Sequence, residues 1–399
     1  MEMPPEYLGR EHTWLKHRVL QLYLESWAHK LGSVARSRRV RLWYVDCFAG
    51  PWRARNEQLR DTSIHIGLEA LESAARTWAK GGTTIELGAI FVEANDDAFA
   101  ELDRFLRERG GVVEVYPLHG SFGHQVTEIE RRIGSDAAFL FVDPTGWKGA
   151  AMQFIAPLVR RQHRDVLVNV MFNDVNRFKH APLDFIRAQM REFFGLVDTD
   201  ISPGLDEEQL MALYRQQLKR TCGLQFAADL VVPHPYQERT KFRLVVGGHH
   251  EKVIRLFRDV EKRVIGQEAS AVRLVAKERK RFERTRQPSF FPPPVPNQDR
   301  TYAALRLEGL QEVESFLPTF LRRAGPLPYR MLWPSVLEAC HITESDLRTL
   351  IWEMGRQGRI VIANATPDDR TMKEHHQIQL PAKDGPSALK RAIAPPAKP

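Results

Sequence analysis

Three short stretches carry an acidic residue where apolar sequence gives way to glycine, proline or asparagine. The first is Tyr44-Val45-Asp46-Cys47-Phe48-Ala49-Gly50-Pro51-Trp52, the second Ile90-Phe91-Val92-Glu93-Ala94-Asn95, and the third Phe141-Val142-Asp143-Pro144-Thr145-Gly146-Trp147. Glycine has no Cβ and lets the backbone approach a ligand closely. A carboxylate at Glu93 is suited to accept hydrogen bonds from both hydroxyls of a ribose. Asp143, with backbone carbonyls and the Trp147 ring beside it, is suited to face a reacting amine or hydroxyl. A fourth stretch, His119-Gly120-Ser121-Phe122, is suited to flank an adenine ring. Taken singly, Asp46 and Asp143 serve as turn or cap residues as readily as ligands. Glu93 serves as readily as a charge at the N-terminus of the next helix. Their recurrence at successive strand ends is what points to an adenosyl-type ligand.

Those ends meet only if the strands lie side by side. Five apolar runs, at 41–48, 87–94, 111–118, 137–144 and 165–172, are nearly continuous rather than alternating. That is the pattern of strands buried on both faces of a parallel sheet. Helical patterns at 64–79, 96–110, 123–133 and 151–162 separate them. An amphipathic helix at 12–31 precedes them, with Leu15, Val19, Leu22, Tyr23 and Trp27 on one face. Strand alternating with helix predicts a Rossmann-like α/β fold, a mostly parallel sheet with helices on both faces, whose ligands bind beyond the carboxyl ends of the strands. Runs at 228–233 and 241–248 read as a hairpin closing one sheet edge. Forty-three residues separate Gly50 from Glu93, against about 20 in a dinucleotide fingerprint. The extra helix at 64–79 accounts for the gap and argues against an ordinary NAD site.

The 399 residues, 43% apolar and 27% charged, suffice for two or three soluble domains. A net charge of +8 favours an acidic partner such as nucleic acid. Residues 251–286 hold twelve Lys/Arg against six Asp/Glu. Within them, 273–287 reads either as a solvated helix face or as a surface that tracks the phosphates of DNA or RNA. Residues 287–298 are a proline-rich linker. Helices at 312–325, 329–340 and 343–357, then strands at 359–364 and 376–380, follow the order of a winged helix. Thr343 and Asp346 stand near a capping box there. The helix at 343–357 sets Glu344, Asp346 and Glu353 against Arg348 and Arg356, which suits a protein partner as well as phosphate. The expected division is a Rossmann-like domain at 1–286, the linker at 287–298, a small winged-helix-like domain at 299–380 and a tail at 381–399 of disordered composition.

Cys47, Cys222 and Cys340 lie too far apart for a zinc site or a disulfide framework, and no histidine pair has ligand spacing, so no metal is expected. Neither a P-loop nor a serine elbow appears. No signal-peptide core and no membrane-length apolar run is present, so the expected setting is the cytoplasm, away from membranes.

Together these motifs resemble the TcmP family, the three-Cys-motif partner proteins, over most of the chain. The N-terminal helix with its His-Thr and Lys-His pairs, the strand-one corner at 44–52, the Asp-Pro-x-Gly step at 143–146 and Asn176-Arg177 after strand five carry the likeness. So does the late strand and helix at 241–262. The resemblance implies a class I, Rossmann-like methyltransferase fold, S-adenosylmethionine as cofactor, and a radical-SAM-like protein with a three-cysteine motif as partner. It sets Asp46, Phe48, Ala49 and Gly50 at the methionine end of the cofactor, Glu93 on the ribose, Ser121 by the adenine, and Asp143 and Pro144 facing the methyl acceptor. Three positions depart from the family pattern. Trp52 replaces a glycine, Asp61-Thr62-Ser63 replaces Gly-Ser-Pro, and Ser121 stands where many members have Asp. Trp52 either fills the space of the cofactor's carboxylate or swings out as a lid. Two functions follow: a methyltransferase acting on an acceptor nitrogen, such as one on a nucleic-acid base, or a non-catalytic adapter on a degenerate methyltransferase fold that binds nucleic acid or protein.

Overall fold

The computed structural model describes residues 3–33, 39–50, 59–178, 183–197, 199–287, 295 and 298–381. The chain divides into two compact units, Met1–Asp299 and Arg300–Pro399.

In the first unit helix α1 (Glu11–Gly32) precedes a strict alternation. It runs β1 (Arg41–Asp46), α2 (Ser63–Lys80), β2 (Glu86–Glu93), α3 (Asp96–Arg109), β3 (Glu114–His119), α4 (Phe122–Ile133), β4 (Ala137–Val142), α5 (Met152–Val159) and β5 (Arg164–Val170). Helices α6 (Phe172–Phe178), α7 (Asp184–Phe194) and α8 (Glu207–Cys222) lead to β6 (Phe226–Pro233) and β7 (Thr240–Gly248). A last helical run holds α9 (Lys252–Glu261), a π-helical stretch Lys262–Glu268 and α10 (Ala269–Thr285).

The strand order is β3-β2-β1-β4-β5-β7-β6. β1 to β5 are parallel, and β7 is inserted antiparallel between β5 and β6. The hairpin thus enters the sheet by its second strand and leaves β6 at the edge. Every residue of β5 is buried, as is all but the first of β1, β2 and β4, which is why their sequences lack alternation. β3 differs. Its run reads as apolar as the others, yet none of its residues is buried, whereas β6, at the other edge, is buried over all but its first residue.

The sheet is packed on both faces. On one, Trp43, Val45, Leu140, Ile129, Phe193 and Tyr214 belong to a single core cluster. On the other, Tyr44 stacks on Phe139 (6.4 Å, 16°), and Tyr23 of α1 lies 5.4 Å from the same ring. Gly67 lets α2 come down onto Tyr44: a Cβ at this position would stand 2.2 Å from Cε1 of the ring.

The second unit contains α11 (Arg300–Ala324), β8 (Leu327–Pro328), α12 (Tyr329–Ala339), α13 (Glu344–Arg356), β9 (Val361–Ala363) and β10 (Gln377–Gln379). The three short strands pair antiparallel in the order β8-β10-β9. α11 starts at Arg300, twelve residues before the expected helix, since the Ala, Leu and Glu of 303–312 are good helix formers. Thr343 and Asp346 make a full capping box.

Among the described residues no helix is long and apolar enough to cross a membrane. No group of three or more His, Cys, Asp or Glu among them could hold a metal ion.

Candidate functional site

Parallel pairing brings three acids to one edge. Asp46, the last residue of β1, is level with Phe91 of β2 and Phe141 of β4. Glu93 and Asp143 therefore stand two residues further along the flanking strands. The first turn is laced between its neighbours. Cys47 N donates to Phe141 O (2.9 Å), Ala49 N to Val92 O (2.8 Å), and Gly120 N to Glu93 O (2.9 Å).

Asp46 is fully buried. The Tyr44 hydroxyl donates to its Oδ2 (3.3 Å) and the Phe48 N–H to its Oδ1 (3.3 Å). Burial pushes its pKa up to about 6; the Asp143 carboxylate adds to the rise, and hydrogen bonds from Ser63, Phe48 and Tyr44 oppose it.

Asp143 receives two donors from elements far away in sequence. The Lys16 ammonium of α1 pairs with it. Asn169 Nδ2, on β5, donates to its Oδ1 at 2.7 Å. Asn169 is 1% exposed, and its own Oδ1 is buried without a partner among the described residues, an arrangement that is costly unless something else donates to it. One turn before Lys16, His12 sets its ring against Phe242 (6.0 Å, 71°), and Lys16 Nζ lies 5.8 Å from that ring. Burial, followed by the charges of Lys241 and Lys16, drives the His12 pKa down to about 3, so this imidazole is neutral.

Sequence reading gives Lys16, Asn169 and His12 no role at the site, although His12 and Lys16 belong to the pairs that carry the resemblance. A signal for two of them exists. His12, Lys16, Val19 and Tyr23 follow one another at steps of four, three and four, so the lysine lies in the apolar stripe of the helix rather than on its wet face.

Glu93 is 6% exposed. Its Oε1 accepts from Asn95 N (2.6 Å), the N-cap of α3, and Oε2 has no partner among the described residues. Gly120 has φ +132°, a conformation that favours glycine. Ser121 is exposed and precedes α4 without a side-chain cap bond. His119 stacks on Phe99 (4.6 Å, 27°) and pairs with Asp96 (2.9 Å). Phe48 is half-buried against Phe122 (5.8 Å), while Ala49 and Pro144 are buried. Trp147 leans on the core cluster. Gly50 is the last described residue before 51–58, and Trp52, whose placement would decide between plug and lid, lies outside the described residues.

A cleft of about 280 Å³ lies elsewhere, lined by Tyr7, Trp14, His17, Asp61 and Ile66, and contains none of the three strand-end acids. The acids, not the cleft, mark the site: they sit at the carboxyl edge, where open α/β sheets bind their ligands. Lys16 pairs with Asp143, and among the described residues no cation pairs with Asp46. Two neighbouring carboxylates with a cation paired to one of them suit a sulfonium or ammonium group.

Seven strands in the order 3-2-1-4-5-7-6 with the seventh reversed make this a class I methyltransferase fold, with acids at the ends of the first, second and fourth. No family model and no curated protein matches the chain. Solved structures align with it weakly. A DszA carbon methyltransferase shares 15% identity over 53% of this chain and 47% of its own, at a TM-score of 0.29. Protein LPL1258 of Legionella pneumophila shares 8% over 61% and 91%, at 0.32. The SAH-bound methyltransferase PaMTH1 of Podospora anserina shares 11% over 62% and 89%, at 0.25. The chain spans just under half the length of the first of these. At such scores the likenesses carry no argument of their own, and the strand order stands on this chain's own pairing.

Proposed function

We propose that the chain is an S-adenosylmethionine-dependent methyltransferase acting on an amino nitrogen. The observation that carries this reading is the excess of carboxylate at the corner: Asp46 and Asp143 within each other's field, with Lys16 as the cation between the elements. The donor set fits the cofactor. The Asp46–Gly50 turn would hold its charged end, the unpartnered Oε2 of Glu93 its ribose, and the Gly120-Ser121 loop its adenine. S-adenosylmethionine supplies a methyl group already activated on sulfur. What remains for the protein is positioning. Asp143 and the unpartnered Oδ1 of Asn169 are two acceptors for the N–H groups of an acceptor amine, while Lys16 and Asn169 Nδ2 hold the Asp143 carboxylate in place. Neutral His12 and Phe242 wall the same end.

The TcmP resemblance adds a radical-SAM-like partner, to be sought by co-purification of the two co-expressed proteins. The order of helices and the three-stranded sheet in the second unit support a winged-helix reading for it.

Calorimetric titration with S-adenosylmethionine and S-adenosylhomocysteine tests the proposal. Micromolar binding, roughly 8 kcal/mol, lost in Glu93→Ala, is the expected result. No heat at millimolar ligand would return the chain to the adapter reading.

A further inference from the structure

The same carboxyl edge is bordered by cations that methyl transfer does not use. β7 runs opposite to β5, so its first residues, Thr240 to Phe242, lie beyond the end of β5, past Leu244, which is level with Asn169. Lys241 sits there without a carboxylate partner among the described residues. Before it comes the tight turn 234–239, closed by His234 N donating to Arg239 O (2.8 Å). Arg239 is exposed and donates to Asn173 (3.1 Å). Tyr236 on this turn meets α10: the Arg279 guanidinium bonds its hydroxyl, and Lys280 Nζ lies 4.8 Å from its ring centroid.

From that contact a stripe runs along α10. Lys277, Lys280, Arg281 and Arg284 are all exposed and recur at steps of three, one and three, which puts them on one helix face. The acids of the segment, Glu278 and Glu283, fall to the sides of that stripe, and Glu278 lies 4.0 Å from Arg281. Lys280 and Arg284 have no carboxylate partner among the described residues; Lys277 shares Glu238 at 3.5 Å. The positive field reaches the corner itself. After burial, Lys241, Lys16 and His234 all push the His12 pKa down, and Arg239, Lys241 and Lys280 do the same to His234.

We infer that this path, from the α10 stripe over the Tyr236 turn to Lys241 and Asp143, is a phosphate track, and that the methyl acceptor is an amino group on a base of a nucleic acid. The inference rests on the methyltransferase reading for the acceptor and on the cation path for the polymer. A small-molecule substrate gives no reason for a basic stripe, with Lys280 and Arg284 lacking a carboxylate partner among the described residues, that runs toward the acceptor corner. A nucleic acid does, because each neutralised phosphate releases counterions.

The test is fluorescence anisotropy with labelled 24-mer RNA and DNA on the full chain, from 50 to 300 mM NaCl, without cofactor. The native protein is expected to bind at least one of them with salt-dependent affinity. The triple variant Lys241→Gln/Lys280→Gln/Arg284→Gln should bind at least ten-fold more weakly at 100 mM salt. It should also flatten the slope of log K against log salt by about 2, at roughly 0.7 per phosphate lost. Its melting temperature and its heat with S-adenosylmethionine should stay those of the native protein. RNA-only or DNA-only binding would support the track and name the polymer. No binding of either at 50 mM, equal binding of polyglutamate, or an unchanged triple variant would overturn it. The two readings fail separately. Oligonucleotide binding without cofactor heat removes methyl transfer and keeps the track as a binding surface. Cofactor heat without oligonucleotide binding removes the track and keeps the enzyme.

Discussion

Two buried aspartates lie at opposite ends of the same sheet, each beside a tyrosine. At the carboxyl end, Tyr44 donates to Asp46 at 3.3 Å; at the amino end, Tyr23 donates to Asp165 at 3.1 Å. Both carboxyls are pushed up by burial, to about 6 and about 7. Their surroundings differ. Asp165 has the Lys30 charge to lower it, and Gly248 lies so close that a Cβ there would be 2.6 Å from its Oδ1. Asp46 faces another carboxylate, Asp143, at the edge where the chain turns through Ala49 and Gly50. A buried carboxylate alone is therefore not a site. A buried carboxylate held near a second one, with a cation paired to only one of the two among the described residues, can take a positive charge that a ligand brings.

The largest expected effect separates the two ends by activity. Asp143→Ala should lower methyl transfer by about 10²- to 10⁴-fold, whereas Asp165→Asn should leave it within two-fold, both followed with labelled S-adenosylmethionine and an oligonucleotide acceptor. Equal loss in both variants would erase the distinction.

Stability against pH should rank them the other way. Each group has a folded pKa above its unfolded value of 3.8. The stability tied to its protonation is full below pH 4 and is lost as pH rises through about 6 for Asp46 and about 7 for Asp165. Urea unfolding should therefore show Asp165→Asn more stable than the native protein at pH 8, by up to roughly 4 kcal/mol for about 3 units, with little difference at pH 4. Asp46→Asn should gain less, up to roughly 3 kcal/mol, and lose cofactor affinity. A larger gain at Asp46 would mean that its hydrogen bonds do less than Tyr23 and Lys30 do for Asp165.

A smaller effect sharpens the carboxyl end alone. Gly67→Ala drives a methyl into Tyr44, at a cost of about 1–3 kcal/mol, and should shift the Tyr44 hydroxyl off Asp46. A thermal melt and the cofactor affinity should fall together. An unchanged affinity would show that Tyr44 does not set the Asp46 geometry.

The alternation of apolar runs and helices was legible because strands buried on both faces have nowhere to put polar residues. That pattern locates Asp46, Glu93 and Asp143 at one edge with no knowledge of contacts. It cannot say which strands end up outermost or how far each edge is covered: β3 and β6 both pair on one side only, yet β6 is buried over all but its first residue and β3 over none. Nor does it reveal β8, two residues long and held by β10 alone. The partners of Asp143 escaped for a different reason. Lys16 is 127 residues away and Asn169 is 26, and although Lys16 stands out in the apolar stripe of its helix, nothing in the sequence ties either to Asp143. Only the folded sheet joins them. The expected hairpin was there, but the sequence carries no sign that its second strand would be the one to pair with β5.

That insertion has a consequence for how the chain is made. β5 ends at Val170 and β7 begins at Thr240. On a ribosome adding about 5–20 residues per second, the gap is on the order of 4–14 s. Throughout that interval β5, apolar on both faces, has an open hydrogen-bonding edge on the side where β7 will pair. Nascent chains stalled before residue 240 should therefore be the most aggregation-prone and the most chaperone-dependent, and release past Gly248 should end that dependence.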